Sequence, residues 1–222
     1  MVGSISASEV DSNAFLIGEI DKLRAALESL STPESIHLLR GIASRVVACL
    51  RAGRKVMFCG NGGSAADAQH LAAELVGRQN YDRPAAAGLA LTVDTSTLTA
   101  LANDYGYESV FSRQVEALGH EGDVLIGIST SGRSANVVRA LEVGRKLGIT
   151  TVSFTGEKAR DMVDADYVLA VPATETAKVQ ELQMLCGHAI FALVELTLFP
   201  PEPDAGRAPR PVSPKATSAV TR

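Results

Sequence analysis

Val56-Met57-Phe58-Cys59-Gly60-Asn61-Gly62-Gly63-Ser64 is the stretch whose reading decides the fold. An apolar run stops at a glycine cluster, and Ser64 then opens the alanine-rich segment from Ala65 to Arg78. That pattern is a strand, a tight turn and the start of a helix. Ser64 is the expected N-cap, because a serine hydroxyl can accept a free N–H of the first turn. Gly62 and Gly63 can take positive φ and let a ligand approach the backbone closely. The unpaired N–H groups and dipole of the first turn suit a phosphate. Further along the same segment His70 and Glu74 are four apart, so they share one helical face.

Upstream, Leu16, Ile20, Leu23, Leu27 and Leu30 recur at helical spacing, with Glu19, Lys22, Arg24 and Glu28 on the outer face. Thr32-Pro33 reads as N-cap and first position of a second helix. Ile36, Leu39, Ile42, Val46 and Leu50 form its apolar stripe, and Gly53 ends it. Downstream, Gly88 to Val93 is a second strand, and Asp94 opens a short helix through Ala102. Asn103-Asp104-Tyr105-Gly106-Tyr107 reads as a polar loop, and Val110 to Leu118 as a helix. Asp123 to Ile128 is the third strand, followed by Ser129-Thr130-Ser131-Gly132-Arg133-Ser134 and a helix to Leu147 stopped by Gly148. Thr150 to Phe154 and Tyr167 to Val171 are the fourth and fifth strands, and Lys178 to Leu198 is the last helix.

Strands alternating with helices imply a five-stranded parallel sheet in a three-layer α/β/α sandwich, with two extra N-terminal helices. The expected division is 1–54 for those helices, packing on the sheet and in an oligomer, 55–199 for the α/β domain, and 200–222 for a disordered tail. Six of the nine prolines (Pro200, Pro201, Pro203, Pro209, Pro211 and Pro214) fall in that tail.

Composition narrows the function. Only 5% of the 222 residues are aromatic and none is tryptophan, so small aliphatic side chains must build the core. A net charge of −4 argues against a nucleic-acid partner, whose phosphates call for clustered Lys and Arg. Cys49, Cys59 and Cys186 have no paired spacing, which argues against a disulfide framework or a cysteine zinc site and fits a reducing cytoplasm. The segment from Met1 to Ser12 lacks the basic start and apolar core of a signal peptide, and no apolar run reads as long enough to span a bilayer.

In such sheets ligands bind at the carboxyl ends of the strands. Two loops fall there: Asn61 to Ser64, and Ser129 to Ser134. The second holds four hydroxyls and a glycine at a helix start, a phosphate cradle that needs no lysine. Alone it would read as a serine-rich cap; two such loops at one edge favour a ligand. Gly60 to Ala65 also fits a dinucleotide fingerprint, but the acidic residue expected about 20 positions on is missing, and Asp94 comes much later. No Gly-Lys-Ser/Thr follows, so it is not a Walker loop.

His70 and Glu74 alone could be a surface pair. The last helix changes that reading. From Leu182 to Leu198 it is apolar nearly all round and is expected to be buried. His188 then lies in an apolar setting beside Gly187, with Gln180 two turns earlier. His70, Glu74, Gln180 and His188 can complete a zinc or other divalent site, or do acid–base work. His188 as a satisfied core histidine is the competing reading; His37 and His120 are assigned to core or surface.

Together Gly60-Asn-Gly-Gly-Ser64, His70-x-x-x-Glu74, Asn103-Asp104, Ser129-Thr-Ser-Gly-x-Ser134 and Gln180-Glu181…His188 resemble the phosphoheptose isomerase family, with its sugar isomerase (SIS) fold. The resemblance runs from about Leu16 to Phe199; Gln183 stands where some members have histidine. It implies a homotetramer with active sites between subunits. It implies Zn2+ on His70, Glu74, Gln180 and His188. Sugar phosphate would be held by Asn61, Gly62, Gly63, Ser64, Glu74, Asn103, Asp104, Ser129, Thr130, Ser131, Ser134 and Gln180. The implied reaction converts sedoheptulose 7-phosphate to D-glycero-D-manno-heptose 7-phosphate through an enediol, with Glu74 and His188 as the catalytic pair. The alternatives are a SIS enzyme acting on amino-sugar phosphates and a non-catalytic SIS protein that binds sugar phosphate or a replication-initiator protein. Leu198-Phe199-Pro200 resembles the initiator-binding relative, but that relative lacks the histidine that this chain keeps at His188.

Overall fold

The computed structural model describes residues 11–159 and 164–201. The tail from 202 onward and residues 1–10, where the leader reading falls, lie outside the described residues. Helix α1 spans Ser12–Leu30 and α2 spans Pro33–Arg51, the latter capped by Thr32, whose hydroxyl accepts from Ser35 N. The strands are β1 (Val56–Gly60), β2 (Gly88–Ala90), β3 (Val124–Ile128), β4 (Thr150–Gly156) and β5 (Tyr167–Val171). Between and after them come α3 (Gly63–Val76), α4 (Thr95–Tyr105), α5 (Ser112–Leu118), α6 (Ala135–Lys146) and α7 (Thr176–Leu198).

The strands are short apolar runs because both of their faces are covered. Alternation along β1 shows the two layers. Val56 and Phe58 pack with α1, α2, α3 and α7, while Met57 and Cys59 pack with α4, α5 and α6. Phe58 meets Phe191 of α7 at a ring separation of 5.6 Å, tying that helix to the centre of the sheet. All pairings are parallel, in the order β2-β1-β3-β4-β5, as the alternating pattern requires. Strand order turns back at β1, and Gly60 at its end is in register with Ile128 at the end of β3. The loops after these two strands therefore leave the sheet side by side, at the position where such folds bind ligands.

Several local expectations are corrected. Gly62, at φ 57°, is the N-cap of α3, its carbonyl accepting from Ala65 and Ala66; Ser64 lies inside the first turn and is buried. Gly63 is not among the positive-φ residues. β2 ends at Ala90 rather than Val93: Leu91 N makes a last bond to Phe58 O at 2.8 Å, and the chain then turns toward α4. Helix α4 runs on through Asn103, Asp104 and Tyr105 until Gly106, at φ 83°, stops it. The helix expected from Val110 begins only at Ser112, and a 3-10 turn at Tyr107–Ser109 precedes it, within the segment read as a polar loop. Helix α7 is not buried all round: Leu185, Leu193 and Leu196 are exposed, because its neighbours cover one side only. By length and apolarity α7 could cross a membrane, contrary to the reading of the sequence; its Val179, Leu182, Cys186, Ile190, Phe191 and Val194 are buried in the core with α2 and α3.

Helices α3 and α7 approach closely where Gly187 meets Leu71; a Cβ at Gly187 would stand 2.9 Å from a Leu71 methyl. Gly187→Val is expected to force the helices apart and destabilise the fold by about 1–3 kcal/mol. Urea unfolding checks this, and an unchanged midpoint would refute the tight seam.

Candidate active site

The α3–α7 seam carries the chemistry. One turn separates His70 from Glu74, and their Nε2 and Oε1 atoms lie 3.5 Å apart. From α7, His188 brings its Nε2 to 2.9 Å from that of His70, the rings edge to face. One ligand atom from each of the three lies within 4.8 Å of the others. His188 is half-buried rather than enclosed, and His70 is exposed, so the cluster opens outward. Two imidazole nitrogens and a carboxylate converging on one point are a donor set for a divalent cation.

Unpartnered polar atoms concentrate along this seam. Asp67 Oδ2, Glu74 Oε2, Gln79 Oε1 and both amide atoms of Gln183 are buried without a hydrogen-bond partner. Such atoms are costly unless a ligand completes them. Asp67 lies one turn before His70. Burial pushes its carboxyl above the usual carboxylate range, with His70 pulling the other way. The sequence reading missed Asp67, although its spacing of three from His70 and seven from Glu74 puts it on their face. The cysteines stay out of the site: all three are free and buried, and burial pushes Cys59 and Cys186 up to about 12.

Gln180 stands at the other end of the seam. Its amide lies over Gly63, with Cδ 2.9 Å from where a Cβ would be. Eight residues of helix, about 12 Å of rise, separate it from His188. The structure thus gathers His70, Glu74 and His188 and places Gln180 against the glycine turn.

The two loops meet as the strand register requires. Asn61 and Asn136 exchange amide hydrogen bonds, each 2.9 Å, and Tyr107 donates its hydroxyl to Asn61 Oδ1 at 3.0 Å. Neither Asn136 nor Tyr107 stood out in the sequence, because the pairing spans the gap between two strands. Ser129 and Ser134 join hydroxyls at 2.9 Å, and Ser131 Oγ accepts from Arg133 N at 3.2 Å. Thr130 and Ser131 line a cavity of about 320 Å³ together with Arg133, Lys158, Thr174 and Thr176. Among the described residues, hydroxyls and two cations line it and no carboxylate does, which is the chemistry of an anion site. Asn103 donates to Asp104 at 2.7 Å; both are exposed at the end of α4 and bond each other rather than the phosphate loop.

A family profile for the SIS domain matches residues 20–156. The chain is 48% identical over 191 residues to a phosphoheptose isomerase of a Roseiflexus species, an alignment that covers 85% of this chain and 97% of that one. It is 56% identical over 151 residues to a phosphoheptose isomerase of Akkermansia muciniphila, covering 68% and 80%. The solved structure of a phosphoheptose isomerase from Neisseria gonorrhoeae superposes with a TM-score of 0.75 at 39% identity, over 82% of this chain and 98% of that one.

Ser131→Ala and Ser134→Ala are each expected to weaken binding of a phosphate ester about tenfold or more, since a charge-assisted hydrogen bond is worth roughly 1.5–3 kcal/mol. Calorimetric titration measures it; unchanged affinity in both variants would move the anion site elsewhere.

Proposed function

The chain belongs to the SIS domain family, and on that footing we propose that it is a ketose–aldose isomerase. It converts sedoheptulose 7-phosphate to D-glycero-D-manno-heptose 7-phosphate through an enediol. The observation that carries this is the meeting of Glu74, His70 and His188 at one point, on the helix that starts in the glycine turn. His188 takes part in that cluster, which favours an enzyme over the binding-only alternative.

The phosphate end comes first. Ser129, Thr130, Ser131 and Ser134 hold the phosphate with hydroxyl and N–H donors at the start of α6. Asn61, Gly62, Gly63 and Ser64 line the sugar chain from the first loop, with Asn103, Asp104 and Gln180 at its polar edge. Held by one end, the substrate lays its carbonyl end along the α3–α7 seam. Ordering of this kind supplies much of the catalytic advantage. Glu74, with its buried, unpartnered Oε2, takes the proton from C1 and returns it to C2. His188 moves the accompanying proton between the two oxygens.

The donor set fits zinc. His70, Glu74 and His188 would hold it, with Gln180 as the fourth ligand, from the same or a neighbouring chain. Bound zinc would supply Lewis acidity toward a carbonyl oxygen. An amide is a weak ligand, so the metal is held less tightly than on cysteines and is removable without unfolding.

Purified chain given sedoheptulose 7-phosphate is expected to form the aldose. Glu74→Gln and His188→Gln are each expected to lower kcat by about 10²–10⁴-fold with the fold retained. Chelation lowers activity, zinc restores it, and thermal stability falls only modestly. No aldose from the wild-type chain would sink the proposal, and near-normal kcat in either variant would remove that residue's role.

We also propose a cytoplasmic homotetramer, in which the helices of residues 1–54 serve assembly and 55–199 form the catalytic domain. Phe15, Leu16, Ile17 and Ile20 of α1 are more than half exposed, and the outer face of α7 adds Leu185, Leu193 and Leu196. Apolar stripes of this kind call for cover. Light scattering at micromolar concentration is expected to give four times the 23.3 kDa chain mass. A monomer alone would refute it.

A further inference from the structure

Beyond the donor cluster, α3 and α7 are joined by a second polar assembly, built around a buried ion pair. Glu195 of α7 and Arg83 form an ion pair at 3.0 Å, their side chains 1% and 4% exposed. Glu195 Oε1 also accepts from Gln79 N at 2.9 Å, and its Oε2 accepts from Asn80 N and Asn80 Nδ2 at 2.9 and 3.1 Å. Burial opposes ionisation of Glu195, yet the Gln79 and Asn80 N–H groups and the Arg83 guanidinium outweigh it and hold the carboxyl below its usual range. Arg83 gives one further hydrogen bond to Pro84 O, at 2.9 Å, and two to the end of α3. It reaches Glu74 O at 2.6 Å and Leu75 O at 2.8 Å, carbonyls that a helix terminus leaves free. Gln79 Nε2 donates to His188 O at 3.0 Å.

The assembly therefore bonds the main chain of both Glu74 and His188, from the side away from the glycine turn. A buried ion pair adds little net stability, because desolvation offsets its attraction. Its hydrogen bonds do have fixed directions, and the guanidinium fork meets four groups at set angles, the Glu195 carboxylate and the carbonyls of Glu74, Leu75 and Pro84. Sliding α3 along α7 by even part of a turn would break several of these bonds at once.

We propose that Glu195, Arg83 and Gln79 are positioning residues that set the register of α3 on α7, and with it the spacing of Glu74 and His70 from His188. This rests on the isomerase reading of the site. The clamp acts on the proton-transfer and metal-binding groups and leaves the phosphate loop after β3 alone.

Gln79→Met, Arg83→Lys and Glu195→Gln test it in the full chain. Zinc affinity is measured by competition with a chromogenic chelator, kcat and KM with sedoheptulose 7-phosphate, and thermal unfolding alongside. Gln79→Met keeps the ion pair and the fold, and is expected to weaken zinc binding about 10–100-fold, as outer-shell substitutions do. Its kcat falls comparably, while KM stays within about twofold. Arg83→Lys and Glu195→Gln move the same quantities further where they fold. Wild-type zinc affinity and kcat in Gln79→Met, whatever the melting temperature, overturns the clamp alone. A wild-type chain that neither binds zinc nor isomerises overturns the functional reading and the clamp with it.

Discussion

The parallel pairing of β1 with β3 is the constraint on which the rest depends. Ladder hydrogen bonds fix Gly60 beside Ile128, so the chain must leave the sheet twice at neighbouring points. Each exit starts a helix, and each helix start offers free N–H groups to an anion. The Asn61–Asn136 amide exchange then locks one exit to the other. With the strands slipped by one residue, every side chain of β1 would turn to the opposite face, and Phe58 would lose Phe191.

The second level of organisation is the seam between α3 and α7. Its middle is apolar and tight, with Gly187 on Leu71, and its two ends are polar. At one end Gln180 closes over Gly63; at the other Glu195 and Arg83 fasten the loop that follows α3. The reactive groups sit between, and most of the buried polar atoms left unsatisfied among the described residues lie along this seam. Strain or missing partners at a site and consistency elsewhere is the pattern expected of a functional centre.

Electrostatics divides the anion site from the proton-transfer site. The cavity beside Thr130 and Ser131 presents Arg133 and Lys158 with hydroxyls and, among the described residues, no acid. The seam presents Asp67 and Glu74 with two histidines. Under the proposed function the phosphate belongs in the first and the carbonyl end of the sugar at the second, which orients a sugar phosphate before any chemistry. The net charge of −4 gives no such information, since it averages over both.

The sequence by itself determined the parallel α/β sandwich, the two added helices, the glycine turn and the pairing of His70 with Glu74, because each is written in local periodicity or spacing. Resemblance of five short motifs, rather than any one of them, also pointed to the isomerase family. Tertiary structure alone decided what lies across gaps in the chain. Gly62 rather than Ser64 caps α3, with no side-chain cap bond, because the chain turns into the helix at φ 57°, a backbone that glycine adopts freely. Asn103 and Asp104 fall in a helix, because only the positive φ of Gly106 stops it. Asn136, Tyr107, Gln79, Arg83 and Glu195 were silent, since one-dimensional patterns register repeats along a strand or helix. A hydrogen bond between residues more than a hundred positions apart, such as Gln79 to His188, leaves no such repeat.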